Sequence, residues 1–358
     1  MQTFDWSPPV AGRIVSAPRA LDSLAGLLAD LDLAGVVLVT SPSMARSPVF
    51  ATLREQAGDR IVGVHATVTP HSPMTDVRTL RDMAVARGAD GYVALGGSSV
   101  IDTAKAAMWL DLDTTRRRTV AVPAMFGGAE VTPRAGVTDE GRKVGLSDER
   151  IVPAAVVLDP RVPAALPSRL THVSVANALA HCVEGLVGTG RSPLTDAFYL
   201  RSLALIRDGV DRLDEPGEAM SAFQSAAVLA ALPRVGMAAA HAVVHVLAPL
   251  ARVGHAVAHG VVGRTVMSYT APAVPDRHAL IADALRADTA LDGVTSVLDT
   301  LGVPRGLRAA GVDRAQLSLV ADALLESGLP GNPRPIDGRD GLLRILDHAW
   351  SGELPQDW

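Results

Sequence analysis

The chain has 358 residues, 48% of them hydrophobic, which is enough to bury two domain cores and leaves no compositional case for disorder. A net charge of -5 with a pI near 6.1 supplies no basic face for nucleic acid, so a small-molecule partner is expected. The one cysteine, Cys182, excludes intramolecular disulfides and thiolate metal clusters and suits a reducing compartment.

From the N-terminus, MQTFDWSPPV lacks a charged region followed by an apolar one, so no signal peptide is expected. Charge, Gly or Pro interrupts each apolar run before the roughly 20 residues a membrane helix needs. A soluble, cytoplasmic protein is the expectation. AGVVLVTS (34–41), RIVGVHA (60–66), GYVALGG (91–97) and RTVAVPA (118–124) read as buried strands, and TDVRTLRDMAVARG (75–88) carries apolar residues at helical spacing. Strands alternating with helices predict a parallel sheet with crossover helices over residues 1–160. DPRVPAALP (159–167) reads as a Pro-rich hinge. Beyond it, Ala- and Leu-rich helical patterns broken by GTGRSP (188–193), DEPGE (214–218) and GLPGNPRP (328–335) predict an all-helical domain over 161–358.

Two small-residue loops interrupt the first domain. GYVALGGSSVIDTAKA (91–106) leads from a strand through Gly96, Gly97, Ser98 and Ser99 into a helix bearing Asp102 and Lys105. Backbone N–H groups at such a turn can approach a pyrophosphate, and the helix N-terminus adds partial positive charge. The Gly-x-Gly-x-x-Gly fingerprint is absent, and a short Gly-Gly is equally the mark of a plain tight turn. PAMFGGAEVTPRAGVTDEGRKVG (123–145) then offers Gly127, Gly128 and Ala129, followed by Glu130 and a hairpin reaching Lys143. Of 33 basic residues only Lys105 and Lys143 are lysines, and both flank the crevice where open α/β sheets bind ligands. A surface hairpin with an exposed lysine is the plain alternative for Lys143. After AGVVLVT come Ser41, Pro42 and Ser43, with no acid to bond a ribose 2'-hydroxyl and repel a 2'-phosphate. NADH and NADPH both stay open, and Arg46 is available to a 2'-phosphate.

In the second domain VANALAHCVEGL (175–186) puts Asn177 and His181 on one helical face. HAVVHVLAPLARVGHAVAH (241–259) packs four of the chain's ten histidines into one stretch, as two further i,i+4 pairs, His241 with His245 and His255 with His259. Pro249 and Gly254 are expected to bend or break the chain between those pairs. Three such pairs can converge on one cleft, at a spacing that helical metal sites use. Charge argues against a metal, because neutral imidazoles with the neutral amide of Asn177 offer a divalent cation no anion.

These stretches resemble the iron-containing alcohol dehydrogenase superfamily, itself related to dehydroquinate synthase, and most of all its maleylacetate reductase branch. The likeness runs nearly the whole length and rests on GGSSVIDTAKA, GGAEVTPRAGVTDEGRK, VVLDP, NALAHCVEGL, HAVVHVL with GHAVAH, LGVPRGLRAAGV, and NPRPI with AWSGELP. It implies an N-terminal Rossmann-like dinucleotide-binding α/β domain and an all-α catalytic domain. It also implies that Gly96, Gly97, Ser98, Ser99 and Asp102 form the dinucleotide loop, with Lys105 and Lys143 on the cofactor side. Asn177, His181, His241 and His255 match the four positions that hold iron or zinc in metal-dependent members. Asn177 stands in place of aspartate, as in the branch that works without metal. His245 matches a histidine near the nicotinamide, and His259 is the branch's additional one. The chain departs from the pattern at Ser98, where a third glycine is expected, at Ala124 and Met125 in place of paired threonines, and at Ala129 in place of a serine. RIVSAPRAL (13–21) also lacks the family's Phe-Gly-x-Gly.

The expected chemistry is NAD(P)H-dependent reduction of an activated carbonyl or conjugated double bond in an interdomain cleft, with no metal. His181, His241, His245 and His255 stabilise the developing oxyanion or enolate, and His245 delivers the proton. Arg252 and Arg264 are the candidates for pairing with substrate carboxylates. A homodimer is the default assembly. The rival expectations are a metal-dependent alcohol dehydrogenase with Asn177 as a weak ligand, and a non-redox homologue, a lyase or a binding subunit, motivated by the lost hydroxyls.

Overall fold

The structure, a computed structural model, describes residues 12–235, 238–328, 331–355 and 358. The N-terminal segment, where no signal peptide is expected, and part of the 328–335 loop signal lie outside the described residues.

In chain order the first elements are β1 (Arg13–Ser16), α1 (Leu24–Asp30), β2 (Val36–Thr40), α2 (Pro48–Ala57), β3 (Ile61–His65), α3 (Met74–Ala86), β4 (Gly91–Gly96), α4 (Ser98–Trp109), β5 (Arg118–Pro123), the hairpin β6 (Arg134–Asp139) and β7 (Arg142–Ser147), β8 (Ala155–Leu158) and α5 (Arg161–Ala164). The four expected strands are β2 to β5, and 75–88 is α3. The edge strand β1 is too short and too exposed for hydrophobic pattern to reveal.

Six strands form one parallel sheet in the order β1-β8-β5-β4-β2-β3. Alternation along each strand sends side chains to opposite faces. Val36, Leu38, Val93, Leu95, Val120 and Val122 join the core that includes residues of α1 and α2. Val37, Val39, Tyr92, Ala94 and Ala121 join the core with α3 and α4. Both faces are covered, which is why these strands read as unbroken apolar runs. From β2 the chain runs outward to β3 and returns to place β4 on the other flank of β2, so the topology switches between β2 and β4. Ligands of open α/β sheets bind at the carboxyl ends of strands at such a point.

The remaining helices are α6 (Ser168–Val187), α7 (Pro193–Val210), α8 (Pro216–Ala231), α9 (Ala239–Ala251), α10 (His255–Thr270), α11 (Pro275–Leu285), α12 (Ala290–Thr300), α13 (Gln316–Ser327) and α14 (Gly338–Ser351). Among the described residues no strand follows β8. No described helix is long and apolar enough to cross a membrane.

The chain divides into two compact units, but not at 160/161. The α/β unit continues to Thr171 and takes in Asp214–Leu232, while His172–Leu213 and Pro233–Trp358 make up the helical unit. DPRVPAALP is accordingly a packed segment and not a hinge. Asp159 is fully buried, accepts the Leu21 N–H at 3.0 Å and pairs with Arg161, and Val162 enters the sheet core. In the same unit α8 lays Val228 and Ala231 on Val131, Val156 and Leu158.

Candidate active site

At the carboxyl end of β4, Gly97 precedes the first turn of α4 and has no side chain with which to cap it. The leading N–H groups of the helix are therefore presented to a ligand. The glycines here sit in close quarters. A Cβ on Gly96 would come within 2.6 Å of Val100, and one on Gly97 within 3.0 Å of Met125. At Gly127, in the second small-residue loop, the Ser98 Oγ lies 2.3 Å from where a Cβ would stand, so a side chain there would turn that hydroxyl aside. Gly128 adopts φ +77° and abuts Ala231. The two loops thus pack directly on one another, and Ser98, where the resemblance expects glycine, is an exposed residue at the start of α4.

Ser99 is used inside the protein. Its hydroxyl accepts the N–H of His71 at 3.0 Å, and its carbonyl accepts Ser72 Oγ at 2.8 Å. His71 and Ser72 are consecutive non-glycine residues in the left-handed region (φ 69° and 49°), and Thr138 of β6 bonds both. Left-handed residues of this kind persist only where several contacts hold them, and here they brace α4 against the hairpin.

Lys105, expected beside the cofactor, has no exposed surface. Its Nζ donates to the Ala129 carbonyl at 2.8 Å, reaches Thr132 Oγ1 at 3.4 Å, and pairs with Asp102 at 3.5 Å. It ties the second loop to α4 from behind. Asp102 accepts the Gly136 N–H at 3.1 Å, and burial raises its pKa against the pull of Lys105. Lys143 lies exposed on β7, opposite Thr138. Ser41, just past β2, faces the switch point from the other side, its hydroxyl accepting the Met44 N–H at 3.3 Å, and Arg46 is exposed close by in sequence.

The helical unit gathers the imidazoles. His181 on α6, His241 and His245 on α9, and His255 and His259 on α10 form a continuous series of ring contacts. Centroids lie 4.3 Å apart for His181 and His241, 4.2 Å for His241 and His259, 4.6 Å for His259 and His255, and 5.5 Å for His255 and His245. Pro249 sits in the last turns of α9, Arg252 adopts φ 51°, and α10 begins after Gly254, so the break falls where expected and folds one i,i+4 pair back toward the other. His241 and His259 are buried, His245 is half-buried and His255 is exposed. Burial, and then the neighbouring rings, hold His181 and His259 well below the usual histidine pKa, so both are neutral at pH 7.

Sequence reasoning passed over Glu184. It lies on α6 one turn beyond His181, and the i,i+3 and i,i+7 spacing to His181 and Asn177 is the signal that was available. Its carboxylate pairs with Nδ1 of His241. Arg264, in contrast, is a correction: it is buried and donates to the carbonyls of Arg305 and Gly352, so it faces a loop and a helix end instead of a substrate. Arg252 is exposed between α9 and α10.

A metal is implied by the resemblance, and the side chains as arranged do not form a cage for one. Among the described residues no group of three or more His, Cys, Asp or Glu could hold an ion. The Nε2 atoms of His255 and His259 face each other at 3.1 Å, so one donates to the other, and Asn177 brings an amide where an anion is wanted.

Known proteins match this arrangement over almost the whole chain. The model of the iron-containing alcohol dehydrogenase family matches residues 11–160, and that of the C-terminal part of the Fe-containing alcohol dehydrogenase family matches 171–350. Maleylacetate reductase of Pseudomonas knackmussii is 31% identical over 96% of this chain and 97% of its own, and that of Pseudomonas aeruginosa 30% over the same shares. The crystal structure of maleylacetate reductase from Rhizobium sp. strain MTP-10005 superposes with a TM-score of 0.89 at 27% identity, covering 99% of this chain and 100% of that one.

Proposed function

Because the chain belongs to the iron-containing alcohol dehydrogenase family, and is thereby an NAD(P)-dependent oxidoreductase related to the maleylacetate reductases, we propose that it reduces a small keto acid or enone without a metal. The observation that carries this reading is the run of five touching imidazoles, with the neutral amide of Asn177 one helical turn before His181 on α6.

The α4 turn fits a dinucleotide. Its uncapped N–H groups, the Ser98 hydroxyl and the glycine loop of Gly127 and Gly128 would hold the pyrophosphate, with Ser41 and Arg46 on the adenosine side and Lys143 available on the hairpin. Reduced nicotinamide, when bound, supplies the hydride. His255 is the exposed ring, with His245 and His181 half-buried; in this reading His245 and His255 meet the substrate oxygen, donate hydrogen bonds to the charge that develops there, and deliver the proton, His245 foremost. His181, held neutral, and the buried His241 and His259 support them. Arg252, exposed beside His255 in sequence, is the cation for a substrate carboxylate.

The test uses protein purified without chelator. Calorimetry is expected to show NADH or NADPH binding, and turnover of maleylacetate or another small keto acid is expected to persist in EDTA with no stoichiometric metal present. His245→Ala is expected to lower kcat about 100-fold or more with cofactor affinity retained. Activity that vanishes in EDTA and returns with iron or zinc overturns metal independence, and failure to bind either dinucleotide overturns the redox reading.

A further inference from the structure

His241 is the second ring of the imidazole series, in contact with His181 on one side and His259 on the other. What orients it is Glu184, a carboxylate 6% exposed. Oε1 accepts the backbone N–H of Ala240 at 2.6 Å and of His241 at 3.2 Å, two donors in the first turn of α9, which no local side chain caps. Oε2 pairs with the ring Nδ1 of His241. The backbone donors and the ring together fix the carboxylate's position.

A carboxylate oxygen accepts hydrogen bonds and cannot donate them. Nδ1 of His241 therefore carries the proton, and in the neutral ring Nε2 presents a lone pair. That Nε2 is buried and finds no hydrogen-bond partner among the described residues. We propose that Glu184 is a positioning residue of the reductive site: it locks His241 in the Nδ1–H tautomer, so that an acceptor and not a donor faces the other rings. The proposal rests on the reading of this cluster as the reductive site, and it changes one role within it. His241 is not an oxyanion donor. It accepts a hydrogen bond from a neighbouring N–H or from the product hydroxyl and leaves donation to His245 and His255. Glutamate suits this task because it serves α9 and the ring together, whereas a glutamine could keep the backbone contacts through its oxygen but would aim an NH2 at Nδ1.

The experiment records ring nitrogen spectra of protein carrying 15N-histidine at pH 8, with neither cofactor nor substrate added, the His241 signals being identified by their loss in His241→Asn. In the parent protein Nδ1 is expected to resonate as a protonated nitrogen and Nε2 as an unprotonated one. In Glu184→Gln the two are expected to exchange, with kcat down tenfold or more and the Kd for NADH unchanged, and Glu184→Asp is expected to restore the parental tautomer. A parental spectrum showing Nε2–H sinks the proposal whatever the variants do, and so does a folded Glu184→Gln that keeps the parental tautomer or the parental kcat. Should the tautomers behave as expected in a protein that reduces no carbonyl compound, the positioning role stands and the functional reading alone falls.

Discussion

Glu130 is almost without contact with water, at 2% exposure, and burial pushes its pKa up to about 7, with Lys105 and its own N–H pulling the other way. The folded chain therefore favours the neutral acid, whereas the unfolded chain releases the proton near the ordinary value of 4.5. Stability is fully present below that value and is lost as pH rises toward and through about 7. Glu130→Gln is expected to outlast the parent in urea at pH 8 and to match it at pH 4.5. An unchanged gap between the two pH values in the variant would show that other groups set the dependence. The neighbouring Lys105 belongs to the same reasoning. An ammonium with no exposed surface is retained because the Ala129 carbonyl, Thr132 and Asp102 replace the water it has lost.

At the scale of elements, the cofactor turn is the junction of two loops that have exchanged volume. The side chain of Ser98 fills the space that a Cβ on Gly127 would need. Gly127→Ala is expected to turn the exposed Ser98 hydroxyl aside, with stability changed by less than about 1 kcal/mol, and to raise the Kd for NADH about threefold through loss of that hydroxyl's contact. Ser98→Gly alone is expected to raise the Kd by a similar factor, and the double change Ser98→Gly with Gly127→Ala by no more than either, because both act on the same hydroxyl. Calorimetric titration of the three proteins decides it: additive losses mean that the loops are not coupled through this contact. The brace of His71 and Ser72 onto Ser99 and Thr138 explains how α4 can keep its N-terminus open without a cap.

At the scale of the whole molecule, the α/β unit is not contiguous in sequence. Helix α8 is separated from the rest of that unit by most of α6 and by α7, yet Phe223 packs on Phe126 with centroids 5.5 Å apart, and Gln224 Nε2 donates to the Asp159 carbonyl at 3.3 Å. A fragment ending at Thr171 leaves Val131, Val156 and Leu158 uncovered beside the cofactor loop. Such a fragment is expected to melt without cooperativity and to bind no NADH, and a peptide spanning 214–232 supplied in trans is expected to raise its melting temperature. A cooperative fragment that binds NADH unaided would show that α8 is dispensable.

Short apolar runs, helical spacing and turn chemistry were enough to reveal β2 to β5, α3, the Gly96–Ser99 turn and the three i,i+4 pairs, because each is a property of one short segment. Spacing alone put Asn177 with His181, His241 with His245, and His255 with His259 on common faces. It could not say that these pairs meet, nor that Glu184 reaches from α6 to the first turn of α9. The burial of Lys105, the turning of Arg264 toward Arg305 and Gly352, and the recruitment of α8 to the sheet were equally out of reach. Those outcomes depend on which distant segments pack together and on which buried polar atoms find partners there, and only the folded chain decides both.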